Sequence, residues 1–407
     1  MIGKQDLKAV LPMCTSAFFL LAGYAFFRPA INSLYKDVYG SGALPMAMGF
    51  GVLAVLAAVW VYVRILTKVG PRRTLAISCI ASAVLILLHY AGLILQLNWL
   101  TFTGYLLKEA YIVLIIEQYW SFLNSRISSS NAKKLFGAVL GISSIGSILG
   151  SRISAAIVLD LGSETMLPIA AGLTLIAVVF SDFGFRWVGE PDYKTDIQKK
   201  RKQISTAPMA LSLFRSNPVL KYIFLVVVLT QILSAVTELR FNGLLEHNFE
   251  TAELQNQYEN RFWSWVETTG LLLNFVISPL LLSMVSLRVL HFIFPLLHLG
   301  SVSALLIHPS IETATLSFLM FKCTDYSIFR AAKEMLYIPF SFDARYRAKE
   351  VIDVFGYRAG KGVVSFGISG LQAIMGNALT SIYTWIALAA AGLWFVAVPA
   401  LTQRVEK

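Results

Sequence analysis

Apolar residues come in long runs along this chain, and polar residues gather in short clusters between them. Twelve runs approach or exceed the ~20 mostly apolar residues that carry a helix across a bilayer. They are 11–32, 43–65, 74–95, 99–124, 135–159, 165–188, 218–240, 262–285, 287–308, 311–329, 350–374 and 378–402. The longest polar stretch, GEPDYKTDIQKKRKQISTAPMALSLFRSN over 189–217, divides them six and six. The pattern predicts an all-α membrane protein with twelve transmembrane helices. It divides into a six-helix bundle over 1–188, a linker over 189–217 and a second six-helix bundle over 218–407. No small-residue cleavage site follows the first run, so it reads as a retained span.

Composition agrees with this reading. Of 407 residues, 57% are hydrophobic and 14% charged, where a soluble domain carries about 25% charged residues. The net charge of +11 suggests nucleic acid until it is mapped. With the N-terminus inside, 25 of the 34 Lys and Arg fall in cytoplasmic segments. Seven lie in spans, and Lys36 and Arg261 lie in or beside external loops. The external loop 241–260 carries Glu246, Glu250, Glu253 and Glu259. That is the positive-inside distribution. It predicts a multi-pass protein of a bacterial inner membrane with both termini cytoplasmic, in contact with anionic lipid and not with nucleic acid. Cys14, Cys79 and Cys323 fall within spans and read as packing residues. No nucleotide loop, zinc helix or nucleophile elbow is present, which argues against an enzyme, a metal site or a resident cofactor.

The informative residues are the charges inside spans. Arg28, Lys108, Arg152, Arg240, Lys322, Arg358 and Lys361 are cations in helices that otherwise suit lipid. A charge at the bilayer centre costs about 2.5–3.5 kcal/mol on the insertion scale. Such residues point inward, towards carboxylates, water or an anionic substrate. Six carboxylates accompany them: Glu109, Glu117, Glu238, Glu267, Asp325 and Asp353. Mutual ion pairing is one reading, since an unpaired buried charge is expensive. Substrate contact by at least two cations, with Arg358 and Lys361 foremost, is the other. Arg358 and Lys361 are i, i+3 on one helix face, as are Lys322 and Asp325. Glu109 and Glu117 also share a face. Glu117, Glu267 and Asp353 read as gating or coupling groups, and the seven cations with Glu109, Glu238 and Asp325 as the substrate site. Tyr24, Tyr105, Tyr111, Tyr119, Trp120, Phe241, Tyr326 and Tyr357 lie near these charges and suit stacking on a flat ring or ordinary packing. His89, His291 and His298 read as packing residues, and His247 as part of the exposed loop.

Two sets of six spans joined by a long linker is the layout of the major facilitator fold, in which each half holds nested three-helix inverted repeats and the site lies near the midplane between the halves. A short repeat agrees with it: FGAVLG (136–141) opens span 5 and FGYRAG (355–360) opens span 11. Both hold small-x-x-x-small pairs that let helices approach. In this fold spans 1, 4, 7 and 10 line the cavity, and the intramembrane charges concentrate there. The loop RILTKVGPRR (64–73) is similar to a latch used by many facilitator proteins at this point.

Residues 329–362 carry a more specific likeness. Lys333-Glu334-Met335, Tyr337-Ile338-Pro339, Arg347-Ala348-Lys349, Ile352-Asp353-Val354, Arg358 and Gly360-Lys361 resemble the loop and eleventh helix of the non-mitochondrial ATP/ADP translocases of plastids and intracellular bacteria. YWSFLNSRISSSNAKKLFG (119–137) and TELRFN (237–242) are weaker matches to the same family. The resemblance implies transport-essential roles for Lys361 and Glu238, with Glu109 as a third. In span 1 the family shows R-D-x-K-D, whereas here Arg28 is followed by Pro29, Ala30, Ile31 and Asn32. The expectation is therefore alternating-access transport of an anionic small molecule, a nucleotide by resemblance, through exchange or proton coupling; the sequence leaves the oligomeric state open, and a monomer is compatible with it. A transporter or flippase of another anionic metabolite or lipid, and a non-transporting receptor or scaffold, are the other readings.

Overall fold

The structure, a computed structural model, describes residues 4–126, 129–190, 214, 217–340, 349, 352, 356–357, 360–376 and 379–403. Fourteen helices are introduced in chain order: α1 (Lys4–Tyr39), α2 (Leu44–Val69), α3 (Pro71–Ile94), α4 (Leu100–Arg126), α5 (Ser129–Leu161), α6 (Met166–Val188), α7 (Pro218–Asn248), α8 (Ala252–Leu272), α9 (Ser278–Met284), α10 (Leu287–Ile307), α11 (Ile311–Asp325), α12 (Ile328–Met335), α13 (Gly360–Met375) and α14 (Leu379–Thr402). A π turn over Leu273–Ile277 joins α8 to α9 within one continuous span. The chain is thus an all-helical, multi-pass membrane protein. Among the described residues, nine helical segments are long and apolar enough to cross a membrane. The expected spans outside that set have physical reasons. Helix α4 has 27 residues but carries Lys108, Glu109 and Glu117. Helix α11 has 15 and α13 has 16.

By contact the chain forms two compact units. The first comprises 1–40, 53–205 and 249–268; the second comprises 41–52, 206–248 and 269–407. The unit boundaries therefore cut through α2 and α8 as well as through the linker, most of which lies outside the described residues. In the first unit α1 packs on α4, α5 and α6, and α3 packs on α4 and α6. In the second, α7 packs on α11, α13 and α14, and α10 on α11 and α14. The most apolar windows of α1 and α7 are each 67% buried, against 28% for α2. Two helices six spans apart thus hold the same central place in their units, as a repeated fold requires.

Glycine sets the α1–α5 spacing. A Cβ at Gly146 would run into the Phe18 carbonyl oxygen, and one at Gly150 would lie 2.7 Å from that of Ala22. These obstacles are backbone and cannot rotate away. Gly146→Val is expected to destabilise the protein by about 3 kcal/mol, the upper end for overpacking, visible as a lower melting temperature in detergent. An unchanged melting temperature would refute the close approach.

Several sequence expectations are corrected here. Span 8 begins at Ala252, ten residues before the apolar run, and α7 runs on to Asn248. The expected external loop 241–260 therefore shrinks to 249–251, and His247 is the exposed end of a helix. The hydropathy pattern fails because the polar start of α8 is buried against polar partners. Asn260 donates to Ser154 Oγ at 2.9 Å, Asn256 to Ser163 Oγ at 3.2 Å and Gln257 to the Ala155 carbonyl at 2.9 Å. Span 10 stops at Asp325, and α12 resumes at Ile328 where a loop is expected. In the 64–73 segment, Arg72 meets Asp182 at 2.6 Å and Arg186 meets the same carboxylate at 2.7 Å, tying α3 to α6.

Candidate functional site

Each unit holds its own cluster of intramembrane charge. In the first unit the cluster is built on α1, α4 and the start of α8. Arg28 lies over the Trp263 ring at 3.4 Å and near Tyr24 at 4.9 Å. Such stacking stabilises a guanidinium where water is scarce. Arg28 Nε is buried with no hydrogen-bond partner among the described residues. Glu267, one turn beyond Trp263, accepts from Ser144 Oγ at 3.1 Å and lies within the electrostatic reach of Arg28.

A polar chain continues along α1. Lys108 Nζ is 3.0 Å from Glu109, donates to Asn32 Oδ1 at 2.8 Å and sits 3.6 Å from the centre of the Tyr105 ring. Asn32 donates to Glu259 Oε1 at 2.6 Å, and Trp263 Nε1 donates to the same oxygen at 3.3 Å. Glu259 Oε2 is 4.0 Å from Lys36 Nζ, and both side chains are almost wholly buried. Sequence reasoning placed Lys36 and Glu259 in or near external loops; both are interior. Trp263 and Asn32 were missed as well. The available signal was the i, i+4 step from Lys36 to Asn32 to Arg28, which puts all three on one face of α1.

In the second unit the cluster joins α7, α11 and α13. Glu238 Oε2 is 3.9 Å from Lys322 Nζ and 3.5 Å from Lys361 Nζ. Lys322 also donates to Ser234 Oγ at 3.4 Å, one turn before Glu238, and is ringed by Phe318, Phe321 and Tyr326 at 5.1–5.8 Å. Lys322 and Asp325 share a face of α11, but among the described residues the carboxylate within 4.0 Å of Lys322 is Glu238. Lys322 reaches across to α7, and Asp325 Oδ1 is buried with no hydrogen-bond partner among the described residues. The motif residues near 329–362 are also in contact. Lys349 pairs with Glu334 at 2.5 Å, and Lys333 lies 4.6 Å from the Tyr357 ring centre.

Other expected site residues stand apart. Arg240 lies on α7 with its Nε buried and without a hydrogen-bond partner among the described residues; it is two residues from Glu238, on a different face. Glu117 is exposed, about two turns along α4 from Glu109. Arg152 is exposed and donates to Ser264 Oγ at 3.2 Å, on a different face of α8 from Trp263. Arg358 and Asp353 lie outside the described residues. His89 bonds to the Leu85 carbonyl and Thr103. His298 packs against Trp394 and Phe321, and His291 against Phe294 and Phe329. All three behave as packing residues. The three cysteines are buried and free.

Residues 266–405 match the family model described as TLC ATP/ADP transporter. The ADP,ATP carrier protein 1 of Chlamydia trachomatis is 23% identical over 92% of this chain and 84% of that protein. The ADP,ATP carrier protein 3 of Rickettsia felis is 29% identical over 24% of this chain, a match that spans only 20% of that relative's length. Among solved structures, the nucleoside transporter NupG superposes with a TM-score of 0.69 at 15% identity, covering 97% of this chain and 99% of that one. A D-xylose–proton symporter gives 0.68 at 12% identity, covering 98% of both chains. At these identities the structural likeness shows the fold, which is the major facilitator fold.

Proposed function

We propose, from this chain's relationship to the ATP/ADP transporter family, that it carries a nucleotide or similar phosphorylated anion across the membrane by alternating access, as an exchanger. The observation that supports this most is the sharing of one carboxylate oxygen, Glu238 Oε2, by Lys322 and Lys361. At 3.9 and 3.5 Å neither ammonium group is at the ~2.7–2.9 Å of a close charge-assisted bond to that oxygen. A phosphate, with more oxygens and more charge, competes well for both lysines. In the empty carrier Glu238 holds the lysines; bound phosphate displaces it. Exchange follows if the carrier changes access only when the lysines are satisfied. Arg28 on its Trp263 platform supports a role in holding charge or a flat ring. The distribution of Lys and Arg supports a bacterial inner membrane with cytoplasmic termini.

Glu238→Gln separates binding from transport. It removes the competitor for the lysines, so ATP is expected to bind several-fold more tightly while exchange falls about tenfold or more, since one lost charged hydrogen bond is worth roughly 1.5–3 kcal/mol. Thermal shift of the purified protein with ATP, and exchange in proteoliposomes, read the two effects. Weaker ATP binding together with unimpaired exchange would overturn the displacement scheme. A cargo other than ATP or ADP is the second reading. It is favoured by the altered motif after Arg28: Ile31, at the family's lysine position, is fully buried, and Asn32 is engaged with Lys108 and Glu259.

A further inference from the structure

The first unit carries a second cationic site that the transport scheme does not use. A groove of about 490 Å³ lies between α5 and α8, lined by Arg152, Gln257, Arg261, Ser264, Trp265 and two alanines. Both arginines are exposed, and none of the lining residues is acidic. Lys36 and Lys108 in the same unit each have a carboxylate within 4.0 Å, so this pair of arginines is differently placed.

The surroundings identify the medium. Along α5, Ile145, Leu149 and Ile153 are 44–51% exposed, and Trp265 on α8 is 62% exposed. Exposed aliphatic residues at this spacing form a lipid-facing strip. Arg152 lies i, i+3 from Leu149 on that helix, next to the strip, a position that calls for an anionic partner. Arg152 is nine residues from the end of α5 and Arg261 nine from the start of α8, each about 14 Å along its helix. On α8, Arg261 closes the polar opening run, and the apolar run starts at Phe262. Arg261 therefore sits at the junction of headgroups and hydrocarbon, with Trp265 one turn deeper, as interfacial tryptophans do.

We propose that this groove binds the headgroup of an anionic phospholipid, in the leaflet opposite the chain termini. Arg152 and Arg261 take the phosphate oxygens, Gln257 and Ser264 offer polar contacts, and the acyl chains run along Ile153 and Leu149. Guanidinium groups suit this task because their donors match two phosphate oxygens at once. The required ligand has an anion and an apolar tail, which the groove and the strip supply together.

The test is thermal stability of the purified full chain in detergent with added phosphatidylglycerol, phosphatidylcholine or inorganic phosphate, alongside native mass spectrometry. Phosphatidylglycerol is expected to raise the melting temperature more than phosphatidylcholine, and to remain bound in the mass spectrum. Both effects should shrink strongly in Arg152→Ala/Arg261→Ala and persist in Arg152→Lys/Arg261→Lys, which covers the event that the alanine variant folds poorly. ATP should not displace the lipid. Equal shifts with both lipids, an undiminished effect in the alanine variant, or full reproduction by inorganic phosphate would each overturn the proposal. None of these results depends on whether the cargo is a nucleotide.

Discussion

Lys361→Ala is expected to lower nucleotide exchange by about 30-fold or more while leaving the melting temperature close to that of the unaltered protein. The magnitude follows from one lost charge-assisted contact of about 2 kcal/mol, at tenfold per 1.4 kcal/mol. The fold should survive because the Lys361 side chain is 25% exposed and Lys322 stays beside Glu238 after the change. Exchange measured in proteoliposomes, with melting followed in detergent, separates the two effects. Loss of exchange accompanied by collapse of the fold would point to a structural lysine. Unchanged exchange would remove Lys361 from the binding site.

The opposite signature is expected for Glu259→Leu. This change should destabilise the protein by about 3 kcal/mol or more, the cost of breaking a buried charged pair by removing one partner. Glu259 accepts from both Asn32 and Trp263 and lies 4.0 Å from Lys36. Leucine withdraws the shared acceptor and the negative charge while preserving bulk. Glu259→Gln keeps an acceptor for Asn32 and Trp263 and should fall between the two. Melting temperatures of the three proteins order them. Equal melting temperatures would mean that the Lys36–Glu259 pair contributes no net stability. Trp263 is the platform for Arg28, so Glu259→Leu should also reduce exchange in the fraction that remains folded.

Much of the fold was legible because hydropathy reports a bilayer directly. The long apolar runs fall on helices α1–α7, α10 and α14, although α1 and α7 run on past the predicted ends and α4 is not among the nine segments apolar enough to cross a membrane. Where hydropathy failed, buried polarity was the cause. The start of α8 is rich in Asn, Gln and Glu, and no apolar window finds it, yet Ser154 and Ser163 satisfy it from α5 and the turn that follows. Glu259 and Lys36 were hidden by the same effect. The Glu238–Lys361 pairing joins two residues that the resemblance had singled out, 123 positions apart. Lys322, placed in the same substrate-site set, meets Glu238 on α7, although the i, i+3 spacing also offered Asp325 on its own helix. Helical spacing says which side chains share a face, but not which neighbouring helix that face meets. Arg152 shows the same limit: a cation inside a span has an interior or a lipid headgroup as its partner, and sequence alone does not separate the two.

The most direct measurement is uptake of labelled ATP by proteoliposomes that hold the purified protein, either preloaded with ADP or empty inside. The account predicts rapid uptake into ADP-loaded vesicles, little into empty ones, and loss of the loaded signal with Lys361→Ala. Absence of uptake from correctly folded protein, or uptake that ignores both internal ADP and the lysine, would contradict nucleotide exchange at the Glu238–Lys322–Lys361 site.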